Sequence, residues 1–234
     1  MNETYISAIK GANHSRRLPQ YTKGEEIANM VTHILGGVFA LFSLLMCTAF
    51  AAWNKNIYGL VSGVIYGISM IVVYVVSSVY HGLDPDRAYK GKVVLRVLDH
   101  CDIYGLIVGT FVPIALTGLR QVSPVVAWTS LCLVILTAII GTVFTAIDFS
   151  KFRLISYGAY FVAGWSVIMT VKQMLLAFSK EFIVLLVVGG AVYTLGMIFY
   201  GLQCKGYKYC HSIFHLFILA GSVIHFIAIF KYCI

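Results

Sequence analysis

Charge is what this sequence has least of. Of its 234 residues only 11% are Asp, Glu, Lys or Arg, where a soluble domain carries roughly 25%. That scarcity excludes an ordinary water-soluble fold. There is no GxGxxG, no P-loop, no heptad pattern and no internal repeat, so nucleotide cradles, coiled coils and solenoids are not expected. None of the 6 cysteines forms a CxxC pair, which removes the zinc-ribbon and thioredoxin-type readings. Cys47 and Cys132 fall in apolar runs and read as packing residues. Cys101, Cys204 and Cys210 fall toward the reducing side, so a disulfide framework is not expected. The segment Met1 to Gly24 carries Lys10, Arg16, Arg17 and Lys23 but no apolar core. It does not read as a cleavable signal peptide, and the first apolar run is expected to direct insertion. Residues 1–24 are expected to form a partly disordered polar tail on the cytoplasmic side.

Apolar residues are abundant instead, at 60% of the chain with mean hydropathy +0.89. Runs of about 20 residues, enough to cross roughly 30 Å of hydrocarbon as helix, fall near 29–52, 57–81, 95–118, 125–147, 154–177, 182–203 and 211–232. The expectation is an all-α integral membrane protein, with residues 25–234 forming a seven-helix bundle. Little chain remains outside the spans, so any chemistry must lie within the bundle or at its faces. The net charge of +8 suggests nucleic acid until the charges are placed on this topology. Twelve of the 17 basic residues then fall on one side; Lys55, Arg120, Lys172, Lys180 and Lys231 fall on the other. The positive-inside rule predicts a cytoplasmic N-terminus and an outer C-terminus. The basic balance is thus a topology signal and an attraction to anionic lipid, not a nucleic-acid footprint. Ser62, Gly63 and Gly67, and Gly105 with Gly109, have the small-residue spacing of close helix contacts. Pro113 is expected to kink the third span.

Placed on the same topology, the intramembrane polar residues converge. Glu26, Asn29 and His33 are near the inner end of the first span, spaced three and four apart on one helix face. Ser77 and His81 end the second span, again four apart. Asp99, His100 and Asp102 open the third, and His211 and His215 open the seventh. His211 and His215 share a face, displaced by roughly 6 Å along the axis, a spacing used by helical zinc sites. Three neutral histidines and one water make a tetrahedral zinc site with an open position. Asp99 is the candidate carboxylate to receive that water's proton. Plainer readings stand beside this one. A lone histidine near a span end is often an interfacial or packing residue. Asp99 has Arg96 as a neighbouring ion-pair partner, and His100 and Asp102 read as facing other neighbours or headgroups. Cys210 points about 100° away from His211 and ranks below the histidines. His225 lies about 15 Å beyond His215 and reads as an ordinary residue of the outer half. Glu26, Asn29 and His33 serve either the site's surroundings or plain helix-to-helix linkage.

These residues also carry a resemblance. The ordered motifs ExxNxxxH (Glu26, Asn29, His33), SxxxH (Ser77, His81), LDH (Leu98, Asp99, His100) and HxxxH (His211, His215) resemble those of the hemolysin III family. That family belongs with the progestin and adipoQ receptors and, more distantly, the alkaline ceramidases. GTFVP at Gly109–Pro113 and HSIFHLFILAGS at His211–Ser222 add to the match, which spans about residues 24–232. The resemblance implies a seven-helix membrane protein in which His81, His211 and His215 bind zinc. It implies that Asp99 contacts the water on that zinc and that Ser77 is a nearby oxyanion or supporting group. Cys101 and Asp102 depart from the small apolar residues common at these positions, and the resemblance gives them no role. The compact length is similar to bacterial members and suggests a bacterial cell membrane.

The functional expectation is a zinc-dependent membrane hydrolase of a lipid amide or ester, with Asp99 as base and Ser77 assisting the oxyanion. The main alternative is a non-enzymatic sensor or regulator of lipid homeostasis in which zinc is a structural clamp. A third is a pore-forming haemolysin, but a pore needs a continuous polar stripe and these polar residues gather in one leaflet. In each reading the partner is membrane lipid, with no nucleic acid. The substrate or signal, and the oligomeric state, are not legible.

Overall fold

The computed structural model describes residues 18–234. Residues 1–17 of the expected polar tail lie outside the described residues. Among the described residues seven helices are long and apolar enough to cross a membrane: α1 (Lys23–Trp53), α2 (Ile57–Gly82), α3 (Pro85–Val122), α4 (Pro124–Asp148), α5 (Arg153–Ala177), α6 (Lys180–Gln203) and α7 (Cys210–Tyr232). Among the described residues there is no strand.

Most of these helices begin where a side chain satisfies a free amide. Thr22 and Glu25 form a reciprocal capping box at α1, so the helix starts at Lys23, before the apolar run that begins near 29. Asp84 accepts from the Asp86 amide and Pro85 occupies the first turn of α3. The apolar run predicts that helix from 95, yet it begins ten residues earlier, because its opening turns are polar and lie outside the run. It bends at Ala88, where φ is −136° and ψ is 41°. Pro113 does not end α3. The helix passes into a π-helical turn over Ile114–Leu119, which absorbs the lost amide and the ring's bulk. α5 tightens to a 3₁₀ turn over Ser166–Thr170. Tyr209 (φ 58°) precedes α7 in left-handed conformation and turns the chain back into the bundle.

Consecutive helices α1 to α5 pack in order, and α6 packs on α7, which returns to α1. Small residues set the closest approaches. A Cβ at Gly67 would stand 2.8 Å from the Leu44 Cα, and one at Gly63 2.8 Å from the Cys47 Cβ, so both glycines let α1 and α2 touch. Gly109 likewise admits Ser69 of α2. Gly105 does not pack: a Cβ there would meet nothing within 4 Å. The outward faces carry Leu35, Val38, Leu45, Leu136 and Ile198, all exposed, as a lipid-facing surface requires. Because the helices alternate in direction, the start of α1, the end of α2, the start of α3, the end of α6 and the start of α7 share one end of the bundle.

Candidate metal centre

At that end three histidines meet. One ring nitrogen each of His81, His211 and His215 can be chosen so that all three lie within 4.8 Å of one another, and all three residues are buried. Nitrogens around one tetrahedral zinc stand about 3.3 Å apart, from bonds of about 2.0–2.1 Å. Small side-chain movements close that difference. The three rings lie 4.5–5.3 Å apart, centroid to centroid.

The hydrogen bonds around the rings orient them. His81 Nδ1–H donates to Glu26 Oε2 at 2.7 Å. His215 Nδ1 is 3.2 Å from both the Asn29 carbonyl and Thr32 Oγ1, so it too carries the proton. Since carboxylate and carbonyl oxygens only accept, both rings are left with an unprotonated Nε2. His81 Nε2 has no partner, and neither nitrogen of His211 has one. Buried imidazole nitrogens without partners are costly; a cation with nitrogen affinity satisfies them. The triad thus fits a metal ion.

Glu26, Asn29 and His33 gather around it as supporting residues. Glu26 bridges two donor groups, since beyond His81 it accepts from Lys92 Nζ at Oε1, 2.6 Å away; Lys92 Nζ also donates to the Leu83 carbonyl at 2.9 Å. Asn29 Oδ1 accepts from Ser212 Oγ at 2.6 Å, tying α1 to α7. The His33 ring lies against that of His215, centroids 3.6 Å apart and planes tilted by 35°, with neither of its nitrogens hydrogen-bonded. Tyr21 packs over His81 and His211, with centroids at 5.6 and 5.4 Å, and covers the cluster from the end of the bundle. Ser77, one turn from His81, is fully buried with an unpartnered hydroxyl.

Charge placement from sequence counts Lys92 among the twelve basic residues of the cytoplasmic segments, and in the structure it is only 2% exposed. Breaking a buried ion pair by removing one partner costs about 3–5 kcal/mol; less applies here because the Glu26 side chain keeps 19% exposure. Lys92→Met is therefore expected to lower the melting temperature of detergent-purified protein by several degrees. The double variant Glu26→Gln/Lys92→Met, which removes both charges, should recover part of that loss. A Lys92→Met melting curve that overlays wild type would show that the pair contributes nothing.

Beside the triad lies a cavity of about 850 Å³ reached by His33, Asp99, His211 and His215. Its remaining wall is largely apolar, with tyrosines from α5 and α6, and at its mouth Phe161, Ile168 and Val187 are exposed toward lipid. Asp99 stands on this wall, 3.9 Å from His100 Nδ1. His100 is a tether instead of a ligand. Its Nδ1–H donates to the Arg96 carbonyl at 2.7 Å, its Nε2 meets Tyr200 Oη at 3.1 Å, and Tyr160 donates to its carbonyl. His225 donates to the Leu186 carbonyl at 3.1 Å and lines the same cavity away from the triad. Cys210 is buried but is not among the clustered groups. Asp102 lines a different cavity from Asp99, and both of its carboxyl oxygens are buried.

The profile of a family described as Haemolysin-III related matches residues 21–226. The chain is 35% identical over 214 residues to the hemolysin-3 homolog of Bacillus subtilis (strain 168), covering 92% of this chain and 97% of that one. It is 32% identical over 216 residues to the hemolysin-3 of Bacillus cereus, covering 92% and 94%. A more distant relative is the human monocyte to macrophage differentiation factor, 26% identical over 221 residues, covering 89% and 84%. No solved structure matches. With seven apolar helices and bacterial relatives matched along nearly their whole length, the chain is a multi-pass integral membrane protein of a bacterial membrane, and it belongs to the Haemolysin-III related family.

Proposed function

We propose that His81, His211 and His215 hold one zinc ion, and that the protein hydrolyses an amide or ester bond of a membrane lipid in the adjoining cavity. The observation that carries this reading is a buried histidine triad with uncommitted ring nitrogens beside a large apolar cavity whose mouth faces lipid. Three neutral nitrogens suit zinc and leave one tetrahedral position open, the pattern of catalytic sites. When bound, zinc supplies Lewis acidity toward a carbonyl oxygen and lowers the pKa of a water.

The chain's own residues do the rest. Asp99, on the cavity wall, takes the proton of the attacking water. Ser77, buried one turn from His81 with no hydrogen-bond partner and not on the cavity wall, supports the triad from behind. Glu26 and the Asn29 carbonyl hold the Nδ1 protons of His81 and His215, fixing the tautomers that present Nε2. The apolar wall takes an acyl chain and keeps bulk water out. We place this end of the bundle at the cytoplasmic face, from the distribution of basic residues. Reporter fusions should then find the N-terminus and the 203–210 loop inside and the C-terminus outside. A cytoplasmic C-terminus would overturn the orientation.

A second reading rests on the triad's neighbours. The network around it ties α1, α2 and α7 together, so a metal there also serves as a clamp in a non-enzymatic lipid sensor. Purified protein loaded with zinc and presented with a panel of lipid amides and esters separates the two. Release of fatty acid that a chelator stops and zinc restores supports the hydrolase. Zinc-dependent melting with no hydrolysis across the panel supports the clamp.

A further inference from the structure

The histidine triad has two faces. His211 and His215 line the large cavity on one side; His81 does not line it, and neither does Tyr21. Tyr21 closes the other face. Its ring stands edge-on to that of His81, centroids 5.6 Å apart, and tilted over that of His211 at 5.4 Å, so one side chain spans candidate ligands from α2 and α7. Beneath it His81 and His211 are 3% and 5% exposed. Gln20, Thr22, Lys23 and Gly24, on either side of Tyr21 in the chain, are exposed. The ring therefore lies between the triad and water.

The segment that carries Tyr21 is held from the helix side only by short-range contacts. Thr22 and Glu25 form the capping box of α1, Glu25 Oε1 accepts from the Tyr209 amide at 3.0 Å, and a Cβ at Gly24 would stand 2.8 Å from the Tyr209 hydroxyl. Tyr209 is itself 48% exposed. Segments with few buried contacts are the parts of a protein that open at the lowest free-energy cost. The cavity face does not suit an incoming cation. Its wall is largely apolar and its mouth opens toward lipid at Phe161, Ile168 and Val187, so a divalent ion would have to shed its water there without compensation.

We infer that Tyr21 gates metal exchange: zinc reaches and leaves the triad from the water-exposed end of the bundle, past the Tyr21 ring, while the cavity serves lipid. This rests on zinc binding by the triad and not on hydrolysis. A gate has a signature that a ligand or a structural prop lacks. A ring that packs equally well on the metal-free and the metal-bound triad shifts no equilibrium, so its removal changes the rates of entry and exit by the same factor.

The test uses detergent-purified full-length protein, with zinc uptake by the stripped protein and zinc transfer to an excess of water-soluble chelator followed separately by stopped flow. Tyr21→Ala should speed both by about tenfold, the effect of about 1.4 kcal/mol on a barrier and within what two aromatic contacts contribute, with Kd unchanged. Tyr21→Phe keeps the ring and should match wild type. Gly201→Leu adds bulk at a cavity-wall position where a Cβ meets nothing within 4 Å, and should leave both rates unchanged. Wild-type rates in Tyr21→Ala overturn the inference, as do Tyr21→Phe rates equal to those of Tyr21→Ala. Faster release with unchanged uptake overturns it too, because Tyr21 would then support the ligands. Slowed exchange in Gly201→Leu overturns it by putting the route through the cavity. Wild type that takes up no zinc fails the metal reading itself and ends the inference with it, a result distinct from the others.

Discussion

Asp99→Asn is expected to keep the fold and the metal while losing turnover of a lipid amide or ester by about 10²–10⁴-fold, the usual worth of general-base assistance. The substitution is nearly isosteric and retains hydrogen-bonding capacity, but an amide cannot accept a proton at neutral pH. Asp99 is not one of the three groups that cluster closely enough to share an ion, so its loss should leave metal stoichiometry at wild-type level. The combination is diagnostic. Lost turnover with lost metal would make Asp99 a ligand or a folding residue; undiminished turnover would remove it from the mechanism. In that second case the base would be Asp102 on the same helix or a group of the substrate itself.

The convergence of the histidines is legible because it needs only the number of spans and the alternation of their direction. Each span is an apolar run, and each polar motif falls near a span end, so counting ends places His81, His211 and His215 together. The i,i+4 spacing of His211 and His215 needs only helical geometry. What lies beyond the sequence is rotation about each helix axis. Asp99 and Asp102 are three residues apart, and spacing alone leaves open that both serve one site. The structure sends them to different cavities because α3 is walled on one side by α2 and α4 and on the other by α5, α6 and α7.

Lys92 is hidden for a different reason. Basic residues between spans are ordinarily solvated and report topology, and nothing in the local sequence distinguishes Lys92 from Lys90. Only the early start of α3 at Pro85 puts residue 92 inside a helix, where its amine reaches Glu26 and the Leu83 carbonyl. Tyr21 escapes notice because it precedes the first apolar run. Ser212 has a usable signal. It lies between two candidate ligands at the start of α7, and a hydroxyl there can reach the Asn29 amide on α1. Gly105 shows the opposite error: its spacing to Gly109 suggests packing, but only Gly109 meets a neighbouring helix.

Loss of any triad histidine is expected to abolish tight zinc binding, and His211→Ala is the cleanest case. His81 also bonds Glu26, and His215 also bonds Asn29, so replacing either removes structural contacts as well. His211 has no hydrogen bond at either nitrogen, so its polar atoms serve the fold only through whatever they coordinate. Ligand binding to the folded state stabilises it by about 4.1 kcal/mol at a thousandfold excess over Kd. For a chain of this size each kcal/mol is worth about 2–4 °C in melting temperature, so saturating zinc should raise wild-type melting by about 8–16 °C. Chelated wild type and His211→Ala should then melt close together, and only wild type should respond to added zinc. His33→Ala is the internal control: its ring packs against His215 but stands outside the cluster, so that variant should keep the zinc response. Wild-type protein that purifies without metal, and whose melting zinc leaves unmoved, would remove the metal from this site; a zinc response that survives in His211→Ala would remove His211 from the ligand set.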